Sequence, residues 1–316
     1  MQTKKEFTKE LIKTVNSLMG DGYRAEICCV EKINTGKLDV LIILNAESFI
    51  SPNFYIDGFY SDYKNGKSTL KEIAKYIINI YHNNTGTLKD GCYIHEFIND
   101  KEWLEERMFL QLINTSKNKE LLKDSLYMDF NGLSLVLYIM VMDNSEGLCK
   151  ARVTKAMCQK FGWNERQILH YALENTEKLF PYIVFPLREL IQKTINDIDI
   201  TTQDIPDTGD DMMVLTNNHS VNGAAAAFYP GALKEISEKH GKSLFLLPSS
   251  INEFIILEDN GIYKPEQLEN MVREVNRSAV EPEEILSDSV YYYGFTSGVL
   301  SEFSNGRFEE VCKIAG

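Results

Sequence analysis

The chain has 316 residues, 44% of them hydrophobic and 25% charged, with a net charge of −13. This composition fits a folded globular protein with room for two domains and excludes a fibrous or low-complexity chain. The longest apolar run, Leu133 to Met142, is ten residues against the roughly 20 of a membrane-spanning helix, so neither a membrane segment nor a secretory signal is expected.

Thr3 and Glu6 form a capping-box pattern ahead of a helix to Met19, with Phe7, Leu11, Val15 and Leu18 as its inner stripe. Tyr23 to Ile33 and Leu38 to Leu44 predict a hairpin around Asn34-Thr35-Gly36-Lys37, and Asn53 to Phe59 a third strand. Asn65-Gly66-Lys67-Ser68-Thr69 has the ending of a phosphate-binding loop, but Ser61 stands where that motif needs its first glycine. Thr69 and Glu72 instead cap a helix that turns Ile73, Ala74, Ile77 and Tyr81 inward.

A short charged helix or turn over Asp100 to Arg107 precedes an apolar strand from Met108 to Ile113. Leu133 to Met142 is apolar on both faces and predicts a central strand, with Leu148 to Val153 as its partner. Asn164, followed by Gln167, caps a helix over Glu165 to Phe180, and Pro186 can start another. Asp197 to Asp211 carries six aspartates, Pro206 and Gly209 without apolar period, and reads as a linker. The expected domains are therefore 1–196, an α+β domain with a helical end, and 212–316, an acidic α+β domain.

The second domain is organised by Met212 to Leu257. Met213 to Leu215 and Ala224 to Phe228 read as strands, and Pro230-Gly231 opens a helix that Gly241 ends. Ser243 to Leu247 and Glu253 to Glu258 predict two further strands, joined by a turn through Ser249 and Ser250. Pro265 begins a helix with Leu268, Met271, Val272 and Val275 as its stripe, and Val290 to Tyr293 is the expected closing strand. From Ala224 the order is β-α-β-β-α-β, which a ferredoxin-like unit shares. The fold class is α+β, with mixed or antiparallel sheets and packed helices.

Three segments carry a resemblance: Ala-Ala-Ala-x-x-Tyr-Pro-Gly at Ala224 to Gly231, Leu-Pro-Ser-Ser at Leu247 to Ser250, and Leu286-Ser287-Asp288. With Trp163 to Pro181 upstream, this pattern over the last half of the chain resembles an uncharacterised bacterial family, a domain of unknown function. The resemblance implies no activity, substrate or residue role.

Chemistry has few local signals. No two of the five histidines stand three or four apart, and no cysteine pair has C-x-x-C spacing. Neither a metal site nor a cofactor is expected, and reduced thiols in a cytoplasmic protein are. His219, in the loop Asn217 to Gly223, is the histidine best placed for acid–base work, with Asn217, Asn218 and Asn222 as binding amides. Ser249 and Ser250 could approach that loop across neighbouring strand ends.

The whole acidic excess lies in 197–316, where 21 acidic face 8 basic residues. That half should repel nucleic acid and attract a basic protein. The leading expectation is thus a non-enzymatic protein-binding protein that uses the acidic domain. A small-molecule or enzymatic site near His219 and Ser249-Ser250 is the rival, and a nucleic-acid mimic that blocks a basic enzyme is the third reading.

Overall fold

A computed structural model describes residues 2–45, 51–84, 99–144, 147–189 and 212–313. Helices and antiparallel sheets share the chain, so the α+β class holds. The chain divides into two compact units, 1–105 with 141–148, and 106–140 with 149–316. One division falls between Glu105 and Glu106, and the expected boundary segment, Asp197 to Asp211, lies outside the described residues.

In the first unit, α1 (Lys4–Met19) carries the expected capping box: the Glu6 N–H donates to Thr3 Oγ1 and the Thr3 N–H to Glu6 Oε2. β1 (Tyr23–Lys32) and β2 (Gly36–Asn45) pair antiparallel, with Asn34 in the left-handed region at the turn. The strand expected over Asn53 to Phe59 is only β3 (Phe54–Tyr55), because the chain turns at once into α2 (Ile56–Lys64). α3 (Leu70–Asn84) follows its Thr69–Glu72 cap. Phe7, Leu11 and Val15 of α1 meet Leu41, Ile43, Ile73, Ile77 and Tyr81 in one core, whereas Leu18 is 44% exposed. α4 (Lys101–Glu106) completes the order up to the second unit.

The second unit holds two sheets. In the smaller, β6 (Leu133–Asn144) is central, as its two-sided apolar pattern requires. β4 (Met108–Asn114) pairs along one side of it, and β5 (Tyr127–Phe130) and β7 (Gly147–Arg152) pair with it as well. α5 (Lys119–Lys123) lies between β4 and β5 in the chain, and α6 (Lys155–Phe161) follows β7 behind a Thr154 cap.

α7 (Glu165–Leu179) starts at Asn164, whose Oδ1 accepts from the Gln167 N–H at 3.1 Å. Asn164→Ala should cost about 1 kcal/mol, the usual loss of a polar cap; thermal denaturation of the variant checks it, and an unchanged midpoint would count against the cap. α7 also closes the free edge of β4. Asn175 Nδ2 donates to the Glu106 and Met108 carbonyls at 2.9 and 2.8 Å, and Thr176 Oγ1 accepts from the Leu110 N–H at 2.9 Å.

The larger sheet runs β14-β13-β12-β10-β11-β9-β8. β8 (Tyr182–Pro186) was not anticipated. Pro186 ends this edge strand, where its missing N–H is tolerated, and helical residues begin directly after it at 187–189, as expected. β9 (Met212–Asn217) precedes Gly223–Phe228, which is a buried 3-10 helix and not the expected strand. α8 (Ala232–His240) begins after Gly231, held at φ +80, so Pro230 stands just outside the helix.

β10 (Leu244–Pro248) and β11 (Phe254–Glu258) form the central hairpin, α9 (Pro265–Ser278) follows, and β12 (Val290–Tyr293) pairs with β10. The β-α-β-β-α-β order is thus present, counted from Met212 and not from Ala224. Nor does Val290 to Tyr293 close it, because β13 (Val299–Ser304) and β14 (Arg307–Lys313) extend the sheet.

β9-α8-β10 crosses over β11, and β11-α9-β12 crosses over β10 in the same direction from a strand of opposite sense. Right-handed crossovers then put α8 and α9 on opposite faces. Packing agrees: Leu268 and Val272 of α9 meet Phe245, Leu257 and Met212, while Met213 lines a cleft with Ile236 of α8. Met271 and Val275, expected in the α9 stripe, are 42% and 41% exposed.

Candidate functional site

Three strands and one loop of the second unit bring a lysine amine among neutral oxygens. Lys150 on β7 donates from Nζ to Gln111 Oε1 on β4 at 2.5 Å and to Asn222 Oδ1, beyond β9, at 3.3 Å. The same Nζ lies 5.0 Å from the centre of the Tyr138 ring on β6. Gln111 is fully buried, and its Nε2 has no hydrogen-bond partner among the described residues. The amide cannot flip to satisfy that nitrogen without turning a donor toward the lysine. Lys150 is half-buried, and its hydrogen-bond partners are both neutral.

Burial lowers the Lys150 amine to about 8 and raises the Tyr138 hydroxyl to about 12. For Lys150 the folded value lies below the ordinary 10.5, so the unfolded chain binds the extra proton between them. The amine therefore weakens the fold below about pH 8, and this cost is relieved as pH rises from there toward the unfolded value. Site-specific NMR should find a midpoint near 8. The stability of the wild type relative to Lys150→Met should climb over that window, and a midpoint above 10 would refute the reading.

The Asn222 carbonyl group is aimed by its surroundings. Asn222 sits at φ 55, and its N–H donates to Asn252 Oδ1 at 2.9 Å. The Asn252 N–H donates to Ser250 Oγ at 3.0 Å, and the Asn252 carbonyl accepts from Thr216 Oγ1 at 2.7 Å. The 249–252 turn thus meets the 217–223 loop, but Asn252 makes the junction. Ser250 is buried and also faces Glu253, and Ser249 is half-buried with its N–H on the Glu253 carbonyl.

Among the sequence candidates, Asn222 alone touches the lysine. Asn217 is spent on its own loop, accepting from the His219 N–H and donating to the Val221 carbonyl. Asn218 and His219 are exposed, and the His219 ring stands edge-on to Phe180 at 5.2 Å. Lys150, Gln111, Tyr138 and Asn252 were missed. The available signal was Gln111 itself, a polar residue inside the otherwise apolar Met108 to Ile113.

A concavity of about 400 Å³ lies elsewhere, between the β8–β9 edge and α8. Three of its polar rim groups are paired: Tyr182 donates to Glu235 at 2.6 Å, and His240 meets Glu258 at 2.7 Å. Lys242 and His240 hold the Glu258 carboxyl below its usual range. The cleft offers room, and the Lys150 cluster offers unmatched groups.

No group of three or more metal-ligating acids, histidines or cysteines occurs among the described residues. No described helix is long and apolar enough to cross a membrane. Comparison with curated proteins and with solved structures gives no significant match. A family model does match, over residues 4–294, well beyond the half of the chain that carried the resemblance. The chain belongs to that family, a family of unknown function (DUF5688).

Proposed function

We propose that this protein binds a small polar molecule at the Lys150 cluster through the ligand's carbonyl or hydroxyl oxygen. The observation that carries this reading is the half-buried lysine held by two neutral oxygens beside the unsatisfied Gln111 Nε2. Buried donors without partners cost about 1–3 kcal/mol each, and a ligand oxygen can remove that cost. The net charge of −13 opposes a multiply charged anion, so the ligand is neutral or singly charged. This rests on the lysine instead of His219, Ser249 and Ser250, and it takes up the small-molecule alternative in that form.

Acetamide, lactate and dihydroxyacetone are suitable first probes in a thermal-shift assay. A ligand at a hundred times its Kd adds about 2.7 kcal/mol, or about 5 °C in a domain this size. The wild type should respond and Lys150→Met should not. Equal shifts in both proteins, or none in either, would remove the proposal.

A basic protein partner is the second reading, supported by α9. Its outer face carries Met271 and Val275 beside the exposed Glu266 and Glu274, which suits a basic amphipathic segment. Capture at 0.1 M salt that fails at 1 M is the expected behaviour. The nucleic-acid mimic finds no support: Glu235 and Glu238 belong to α8 and Glu266 and Glu274 to α9, on opposite faces of one sheet. A cytoplasmic setting stays part of this proposal and rests on cysteine spacing alone.

A further inference from the structure

We infer that Lys150 is a nucleophile that forms an imine with a small aldehyde or ketone. This rests on the binding site proposed above and names its ligand class. A neutral amine has two N–H donors and one lone pair. Gln111 Oε1 and Asn222 Oδ1 supply two acceptors, which match those two donors and leave the lone pair unengaged. No carboxylate among the described residues forms an ion pair with Lys150 to hold it as an ammonium. The Tyr138 ring is the other group against Nζ, and its hydroxyl is held protonated by burial. The lowered affinity of the amine for protons supports the same reading: a substantial fraction is neutral near pH 7–8.

The step balances without a further reactant. Nζ attacks the carbonyl carbon, the C–N bond forms, and the carbonyl oxygen takes a proton as the amine loses one. Loss of that hydroxyl as water, with the second amine proton, leaves the C=N bond. Gln111 and Asn222 orient the amine, and release of both N–H groups to the product water frees Gln111 to turn.

The test uses the intact protein with one equivalent of propanal and sodium cyanoborohydride at pH 7, followed by peptide mapping. Lys150 should be alkylated at least tenfold more than the average lysine, and labelling should rise with pH to a plateau above about 8. Gln111→Glu, which places a carboxylate against the amine and restores the ammonium, should cut Lys150 labelling at least fivefold at pH 7 with an unchanged circular dichroism spectrum. Even labelling of all lysines overturns the inference. If acetamide stabilises the wild type and propanal is not trapped at Lys150, the reversible site stands and the imine falls. If neither acts, both fall.

Discussion

Asn175→Ala should destabilise the second unit by about 2 kcal/mol, since it strands the buried Met108 carbonyl at about 1–3 kcal/mol and takes a donor from the Glu106 carbonyl. Asn175 is 7% exposed, and its Nδ2 serves the Glu106 carbonyl at the end of α4 and the Met108 carbonyl at the start of β4. Met108 is fully buried, so no water replaces the donor to its carbonyl, whereas Glu106 is exposed. Asn175→Asp should be worse than alanine although it is isosteric, because a carboxylate has no donor and would face two carbonyl oxygens. Urea denaturation of both variants decides it. A loss under 1 kcal/mol for alanine, or an aspartate variant as stable as wild type, would mean that the edge is satisfied in another way.

Gly223→Ala should cost about 3 kcal/mol, at the upper end of ordinary overpacking. A Cβ there would lie 2.1 Å from Thr216 Oγ1 and 2.6 Å from both the Asn217 nitrogen and the Asn252 oxygen. The threonine can rotate, although that breaks its bond to Asn252. The two backbone atoms cannot yield without separating β9 from the 249–252 turn. Alanine's better helix propensity returns about 1 kcal/mol at most. The substitution should also pull Asn222 away from Lys150, so the lysine titration should move as the stability falls. A variant with wild-type stability and an unmoved Lys150 midpoint would show that the loop is free to shift.

Local chemistry was legible. The Thr3–Glu6, Thr69–Glu72 and Asn164–Gln167 caps each lie within four residues of sequence and form as written. The two-sided apolarity of Leu133 to Met142 placed a central strand correctly. Ala224 to Phe228 failed because a short apolar run fits a buried strand and a buried helix equally, and alanine's preference for helix decided it. The strand expected over Asn53 to Phe59 failed because Ile56 is buried from the first turn of a helix. The candidate site was illegible in a stronger sense. Lys150 meets partners 39 and 72 positions away, and nothing about a lysine on a strand announces that no acid awaits it.

The helix that seals β4 also sets a schedule. Asn175 lies 67 positions beyond Met108, whose carbonyl it covers. At translation rates of about 5–20 residues per second, the nascent strand presents a bare hydrogen-bonding edge for roughly 3–13 s before its stopper exists. Met108 to Ile113 is buried throughout in the finished fold, so this is sticky sequence on an open edge, the combination that recruits other chains. Slower elongation past Asn114, or truncation before Asn164, should therefore drive more of the product into inclusion bodies.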